Sequence, residues 1–170
     1  WTKAEKEAIG IYEVVTDSSN FKDEEYYTNT NEQYNFSNGQ VTRSWGTATA
    51  KRLNDENAVD DDGNNILDQD GNQVINYGLK TEKKRIVKQQ AEGLLAPTDW
   101  YVVKATEVSD YSVPSNITTF RSAVRTKSNE METAINNASD VDALKTLYTY
   151  TEQEDGSVTR PLGEFPVLEN

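Results

Sequence analysis

Four turn dipeptides constrain this chain more than any other feature: Asn38-Gly39, Asp62-Gly63, Asp70-Gly71 and Asp155-Gly156. Glycine takes positive φ without steric cost, and Asn or Asp beside it favours a tight reversal. A chain that reverses at these four points must make short β-hairpins near both ends and in its middle. Long helices can lie only between them.

The N-terminal strands follow from this. Thr2 as N-cap with Glu5 three residues on makes a capping box, which predicts a short helix to Ile9. "IYEVV", Ile11 to Val15, is β-branched and aromatic and reads as a strand. The Tyr-rich stretch 24–36 runs into Asn38-Gly39, where a type I′ turn is expected. "QVTRSWGTATAKRL" returns from it, with Val41, Arg43 and Trp45 on one face.

Residues 58–78 contain an echo, "DDDGNNIL" then "DQDGNQVI". Asp-x-Asp-Gly-Asn raises the question of calcium. An EF-hand loop places Asp at positions 1, 3 and 5, Gly at 6 and Glu at 12. With Gly63 at position 6 the end ligands are Ala58 and Gln69, and with Gly71 they are Ile66 and Tyr77. Both frames fail. The stretch reads as two Asp-Gly hairpin turns, with Asp60, Asp62, Asp68 and Asp70 left as loose cation ligands at most.

Helices occupy the remainder. "LKTEKKRIVKQQAEGLL", Leu79 to Leu95, has an apolar stripe and is stopped by Pro97. "WYVVKATEV", Trp100 to Val108, reads as a strand. Leu94 and Leu95 would then close a helix face, Thr98 and Asp99 would bond to backbone at the turn, and Trp100 would open the strand. Ser115 is an expected N-cap for a helix over 116–138, with the stripe Ile117, Phe120, Val124, Met131, Ile135 and Ala138. Asp140 caps a last helix to Tyr150. A second echo links "NGQVTRSWG" at 38–46 with "DGSVTRPLG" at 155–163. After it, Pro161 and Pro166 flank Leu162 and Phe165 in an extended tail, which either packs on its own domain or docks elsewhere.

The expectation is an α+β protein: N-terminal antiparallel hairpins, a helix–turn–strand joint, two C-terminal helices and an extended tail. Its parts are a β-rich module over 1–57, the Asp-Gly insert over 58–78, a helix–strand–helix module over 79–154 and the tail over 155–170.

Composition limits the function. There is no histidine and no cysteine. Disulfides, thiolate zinc sites and Ser-His-Asp or Cys nucleophiles are therefore excluded. No phosphate-binding, dinucleotide or zinc-protease motif occurs, and no carboxylate pair stands out, so the expectation is a protein that is not an enzyme and takes no cofactor. A net charge of −12 repels nucleic acid and anionic membrane. The opening "WTKAEKEAIG" has no apolar leader. Lys80, Lys83, Lys84, Arg85 and Lys88 form a basic cluster, read as a solvated helix face or a contact for an acidic partner. The apolar fraction is 35% and mean hydropathy is −0.81. So lean a core suits a protein partly covered by neighbours, and Trp100, Tyr101, Leu162, Phe165, Val167 and Leu168 are the expected partner-binding residues.

"LLAPTDWYVVKATE" followed by "ITTFRSAVRTKSNEMETAI" resembles the C-terminal part of phage tail fibre assembly proteins and related phage tail proteins. The positions that carry it are Leu94, Leu95, Thr98, Asp99, Trp100, Phe120, Arg121 and Arg125. "AIGIYEVV" and the hairpin ending "VTRSW" are similar to the N-terminal part of such proteins from tailed phages of marine bacteria. The resemblance covers about two thirds of the chain and leaves out the insert 58–78. It implies a non-enzymatic virion protein, assembled in the host cytoplasm. Such a protein would bind other tail or fibre proteins within a homo-oligomeric or symmetric assembly. An assembly chaperone that leaves the particle is the alternative, and a bacterial surface module with loose calcium sites is a third reading.

Overall fold

The computed structural model describes residues 1–169; Asn170, the end of the expected tail, lies outside the described residues. The chain forms two compact units, Trp1–Lys51 and Arg52–Asn170. Small antiparallel sheets at the N-terminus and helices toward the C-terminus make it an α+β protein, as expected.

The first unit opens with α1 (Lys3–Ala8). Thr2 Oγ1 accepts from the Glu5 N–H at 3.3 Å and Glu5 Oε2 from the Thr2 N–H at 2.7 Å, completing the capping box. Gly10, at φ 82°, ends the helix, and the Ile11 N–H reaches back to the Lys6 carbonyl at 2.9 Å. This six-to-one closure uses Ile11 as part of the helix stop. The strand therefore begins later than expected, as β1 (Val14–Thr16). After β2 (Tyr27–Thr28) come β3 (Gln33–Ser37) and β4 (Gln40–Ser44), joined by Asn38 at φ 52° and Gly39 at φ 73°. Both central residues are left-handed, which is the expected type I′ turn. Strand order is β1-β4-β3, with β1 parallel and β3 antiparallel to β4. β5 (Thr49–Ala50) pairs with β2. Tyr26, Tyr27 and Trp45 are buried, and Phe21 meets Trp45 edge-on.

The second unit begins with the Asp-Gly region, which closes on itself. β6 (Glu56–Asn57) pairs with β7 (Ile75–Asn76), and single bridges join Val59 to Asn65 and Leu67 to Gln73. Three residues eight apart form a cyclic set of backbone bonds. The N–H of Ile66 donates to Ala58 at 2.9 Å, that of Val74 to Ile66 at 2.9 Å, and that of Ala58 to Val74 at 2.8 Å. The sequence echo is thus two corners of a pseudo-threefold ring. The third corner has no covalent turn; it is closed by the Glu56–Asn76 pairing.

From that corner the chain enters α2 (Leu79–Leu95). Gly78 is its N-cap and has no side chain to offer. Asp55 supplies the cap instead, accepting from the Gly78 N–H and the Thr81 hydroxyl, both at 2.8 Å. A Cβ on Gly78 would lie 2.5 Å from the Asn54 backbone, so only glycine lets the ring approach the helix this closely. A 3-10 turn (Ala96–Thr98) leads to α3 (Asp99–Glu107), followed by α4 (Ser115–Asn137), α5 (Val141–Tyr148) and the hairpin β8 (Thr151–Glu152) and β9 (Val158–Thr159). α2 packs on α4. Val87 and Ala91 are buried on α2; Ile117, Phe120, Val124, Met131 and Ile135 are buried on α4; Leu144 of α5 is fully buried. The α4 spacing is the amphipathic stripe read from the sequence.

Two local expectations need correction. The stretch from Trp100 to Glu107 is helix, not strand, with Val108 just past its end, so the joint is helix–turn–helix. Ser115 is the first residue of α4 rather than its cap. Asp140 does cap α5, accepting from the Ala143 N–H at 2.7 Å.

Candidate partner-binding face

The residues of the Leu-Leu-x-x-Thr-Asp-Trp stretch meet around one buried arginine. Pro97 has no N–H to continue the helix ladder. In the 3-10 turn the Asp99 N–H bonds to the Ala96 carbonyl, and the Leu95 carbonyl accepts from the Thr98 hydroxyl at 2.7 Å and from Arg121 Nη1 at 3.0 Å. The same Arg121 Nη1 lies 2.5 Å from Thr98 Oγ1 and 2.8 Å from Asp99 Oδ1. Arg121 and Thr98 are buried, whereas Asp99 is largely exposed. Leu94 and Leu95 pack with Ala91, Phe120 and Val124 beneath this clasp. Arg125 makes a long contact, 3.4 Å, to the Arg121 carbonyl. The motif is therefore a structural joint. It holds Ala96 in the α region although a proline follows, a conformation that the next residue normally disfavours.

That joint projects α3, and no residue of α3 is buried. Trp100 is 51% exposed, and Val102, Val103 and, just beyond the helix end, Val108 are exposed as well. Trp100 lies against Tyr101 with ring centroids 3.8 Å apart. Lys104 Nζ sits 4.3 Å from the Tyr111 ring and 5.7 Å from that of Trp100. Aromatic rings that are rigid, amphipathic and solvent-facing are suited to binding protein surface. Of the expected partner-binding residues, Trp100 is displayed here and Tyr101 is half-buried beside it.

The tail is different. Leu162 is 3% exposed, and its N–H donates to the Leu147 carbonyl at 3.0 Å. Phe165 and Leu168 pack on the cluster of Ala91, Phe120 and Val124. Leu162 is buried in its own unit, and Phe165 and Leu168 are partly buried there. Val167 alone of the four remains outside, at 85% exposure. The second echo has a structural meaning too. In each copy Val-Thr-Arg leaves a hairpin, the Arg lies over aromatic rings, and a buried anchor follows two residues later. The pairs are Arg43 with Trp45 and Arg160 with Leu162.

The other sequence candidates have local roles. Asp60 Oδ1 accepts from the Asp62 and Asn64 N–H groups, and Asp68 Oδ1 from those of Asp70 and Asn72, all at 2.8 to 3.0 Å. These bonds hold both carboxyls below the usual carboxylate range, led by the backbone N–H of Asn64 and of Asn72. Among the described residues no three acidic side chains converge as a cation site would need. The basic cluster on α2 is dispersed. Arg85 pairs with Glu82 at 2.7 Å, Lys88 with Glu132 at 3.4 Å, and Lys83 is buried with its Nζ 4.3 Å from the Tyr148 ring. Sequence reasoning found the clasp residues but gave Trp100 the wrong surroundings. It also missed Asp55 as a helix cap, because a partner 23 residues away leaves no local signal.

A concave region of about 670 Å³ lies along α4 between Thr118 and Glu130 and is bordered by Glu164 and Pro166. Its walls mix Thr118, Ser122 and Thr126 with Ala123 and the charged Lys127 and Glu130. No helix among the described residues is long and apolar enough to cross a membrane. No protein-family model, curated protein or solved structure matches the chain.

Proposed function

We propose that this chain is a non-enzymatic structural or adaptor protein of a tailed-phage particle that binds a tail or tail-fibre protein. The observation that carries the reading is α3, an aromatic and valine-bearing helix with no buried residue, held out by a buried clasp. A helix with that composition is costly to leave in water unless a partner covers it. The resemblance of the same stretch to tail fibre assembly proteins supplies the setting.

Mass spectrometry of purified virions tests this. The expected result is stoichiometric presence, with a copy number that matches a trimeric fibre, a sixfold baseplate or a repeated shell. Absence from particles together with abundance in infected-cell lysate would replace this reading with that of an assembly chaperone that departs.

A further inference from the structure

The first unit has an open sheet edge with unusual properties. β3 is the edge of the three-stranded sheet, and all five of its residues are exposed. The Asp17 N–H donates to the Arg43 carbonyl at 2.8 Å, so the backbone of Arg43 faces away from β3. Its neighbour Thr42 therefore faces β3 and bonds with Asn35, its register partner. It follows that Tyr34 and Phe36 direct their N–H and C=O groups outward along the open edge. Among the described residues no turn or loop bond reaches those groups.

Natural edges are protected by lysine, proline, bulges or covering loops. Gln33-Tyr34-Asn35-Phe36-Ser37 has none of the first three, and its exposure excludes the last. The one charge beside it, Glu32, is held by Arg43 Nε at 2.6 Å and by the Tyr34 hydroxyl at 3.0 Å. The strand also reads almost alike in both directions, with an aromatic on either side of Asn35.

We infer that β3 is a self-pairing edge that joins two copies of this chain antiparallel about a twofold axis at Asn35. In that register Tyr34 of one copy faces Phe36 of the other as a hydrogen-bonded pair, twice, while Asn35 faces its own equivalent without backbone bonds. The two sheets become one six-stranded sheet. Tyr34 and Phe36 lie in rows with Arg43 and with Val41 and Val14, and Tyr12 meets Phe36 at 4.6 Å. An aromatic cross-strand pair forms on that face at each half of the junction. The near-symmetry of the strand about Asn35 selects this occupant, and charge does not oppose it. A chain of net charge −12 repels its own copies over most of its surface. Here Gln33 faces Ser37 and Glu32 faces Asn38, so no like charges oppose. The inference stands on the geometry of the first unit alone.

The test exploits the absence of cysteine. In a non-hydrogen-bonded pair the Cα atoms lie about 4.5 Å apart, within the range a disulfide spans. Asn35→Cys in the full chain should oxidise to a covalent dimer, whereas Ser37→Cys, displaced from the axis, should cross-link at least tenfold more slowly. Sedimentation of the unmodified chain should reveal a monomer–dimer equilibrium, and Asn35→Lys should raise its dissociation constant at least tenfold while circular dichroism stays unchanged. Equal cross-linking of the two cysteine variants, or a chain that stays monomeric across the concentration range, overturns the inference. Neither failure touches the particle reading, which virion composition decides.

Discussion

At the scale of single residues, Arg121 and Trp100 exchange the roles their chemistry suggests. The charged side chain is buried and the large aromatic one is exposed. Arg121 meets a carbonyl, a hydroxyl and a carboxylate where Pro97 interrupts the backbone ladder. Arg121→Ala leaves the Leu95 carbonyl with the Thr98 hydroxyl alone and removes a buried side chain from the joint. We expect a loss of about 2–3 kcal/mol, typical for removing hydrogen bonds to a buried charged group, measured by urea unfolding. Trp100→Ala, by contrast, should cost under about 1 kcal/mol, because a half-exposed ring forfeits little burial. The reverse order would mean that the joint is not what holds α2 and α4 together.

Elements show where sequence was sufficient. The α4 stripe, the capping box on α1, the Asp140 cap and the Asn38-Gly39 turn were legible because each depends on residues within a few positions. α3 was not. "WYVV" has strand propensity, which is a weak prior and needs a paired neighbour. Among the described residues the second unit offers only two-residue strands, too short to pair a nine-residue one, while Asp99 in the first turn and Lys104 in the last suit a helix dipole. The threefold ring was half-legible. The echo marked its two covalent corners, but its closure through Glu56 and Asn76 is non-local. The tail's chemistry was legible and its choice of partner was not, since an apolar extended segment packs equally well at home or abroad.

These elements share one pH response. Asp55, Asp60, Asp68 and Asp140 each accept a backbone N–H, from Gly78, Asn64, Asn72 and Ala143, and each is lowered from 3.8 chiefly for that reason. A carboxylate lowered in the folded state favours folding while it is charged. Its contribution is complete above 3.8 and is lost as pH falls through the lower folded values. Thermal melts should thus be flat through neutral and mildly acid pH and fall steeply below about pH 4. Asp60→Asn with Asp68→Asn keeps the accepting oxygen but cannot titrate, so the double variant should fall less steeply. A slope unchanged by the substitutions would mean that the ring's corners do not carry the acid response.

The whole molecule divides at Lys51 and Arg52, and its two units differ in what holds them. The first relies on Tyr26, Tyr27 and Trp45, whereas the second has a helical core completed by its own C-terminal segment. Leu162 is buried, and Phe165 and Leu168 cover Ala91, Phe120 and Val124 where the two long helices meet. Removing the chain from Pro161 onward uncovers that cluster. Full burial of one such side chain is worth about 1.5–3 kcal/mol, and two of these three are only partly buried. A loss of about 3–5 kcal/mol is therefore expected, a large fraction of what a domain this size has. The truncated chain should give a much lower urea midpoint, with ANS binding to the exposed face of α2 and α4. Unchanged stability would return the segment to the role of a free docking peptide, and Phe165 and Leu168 would then join Trp100 on the surface offered to a partner.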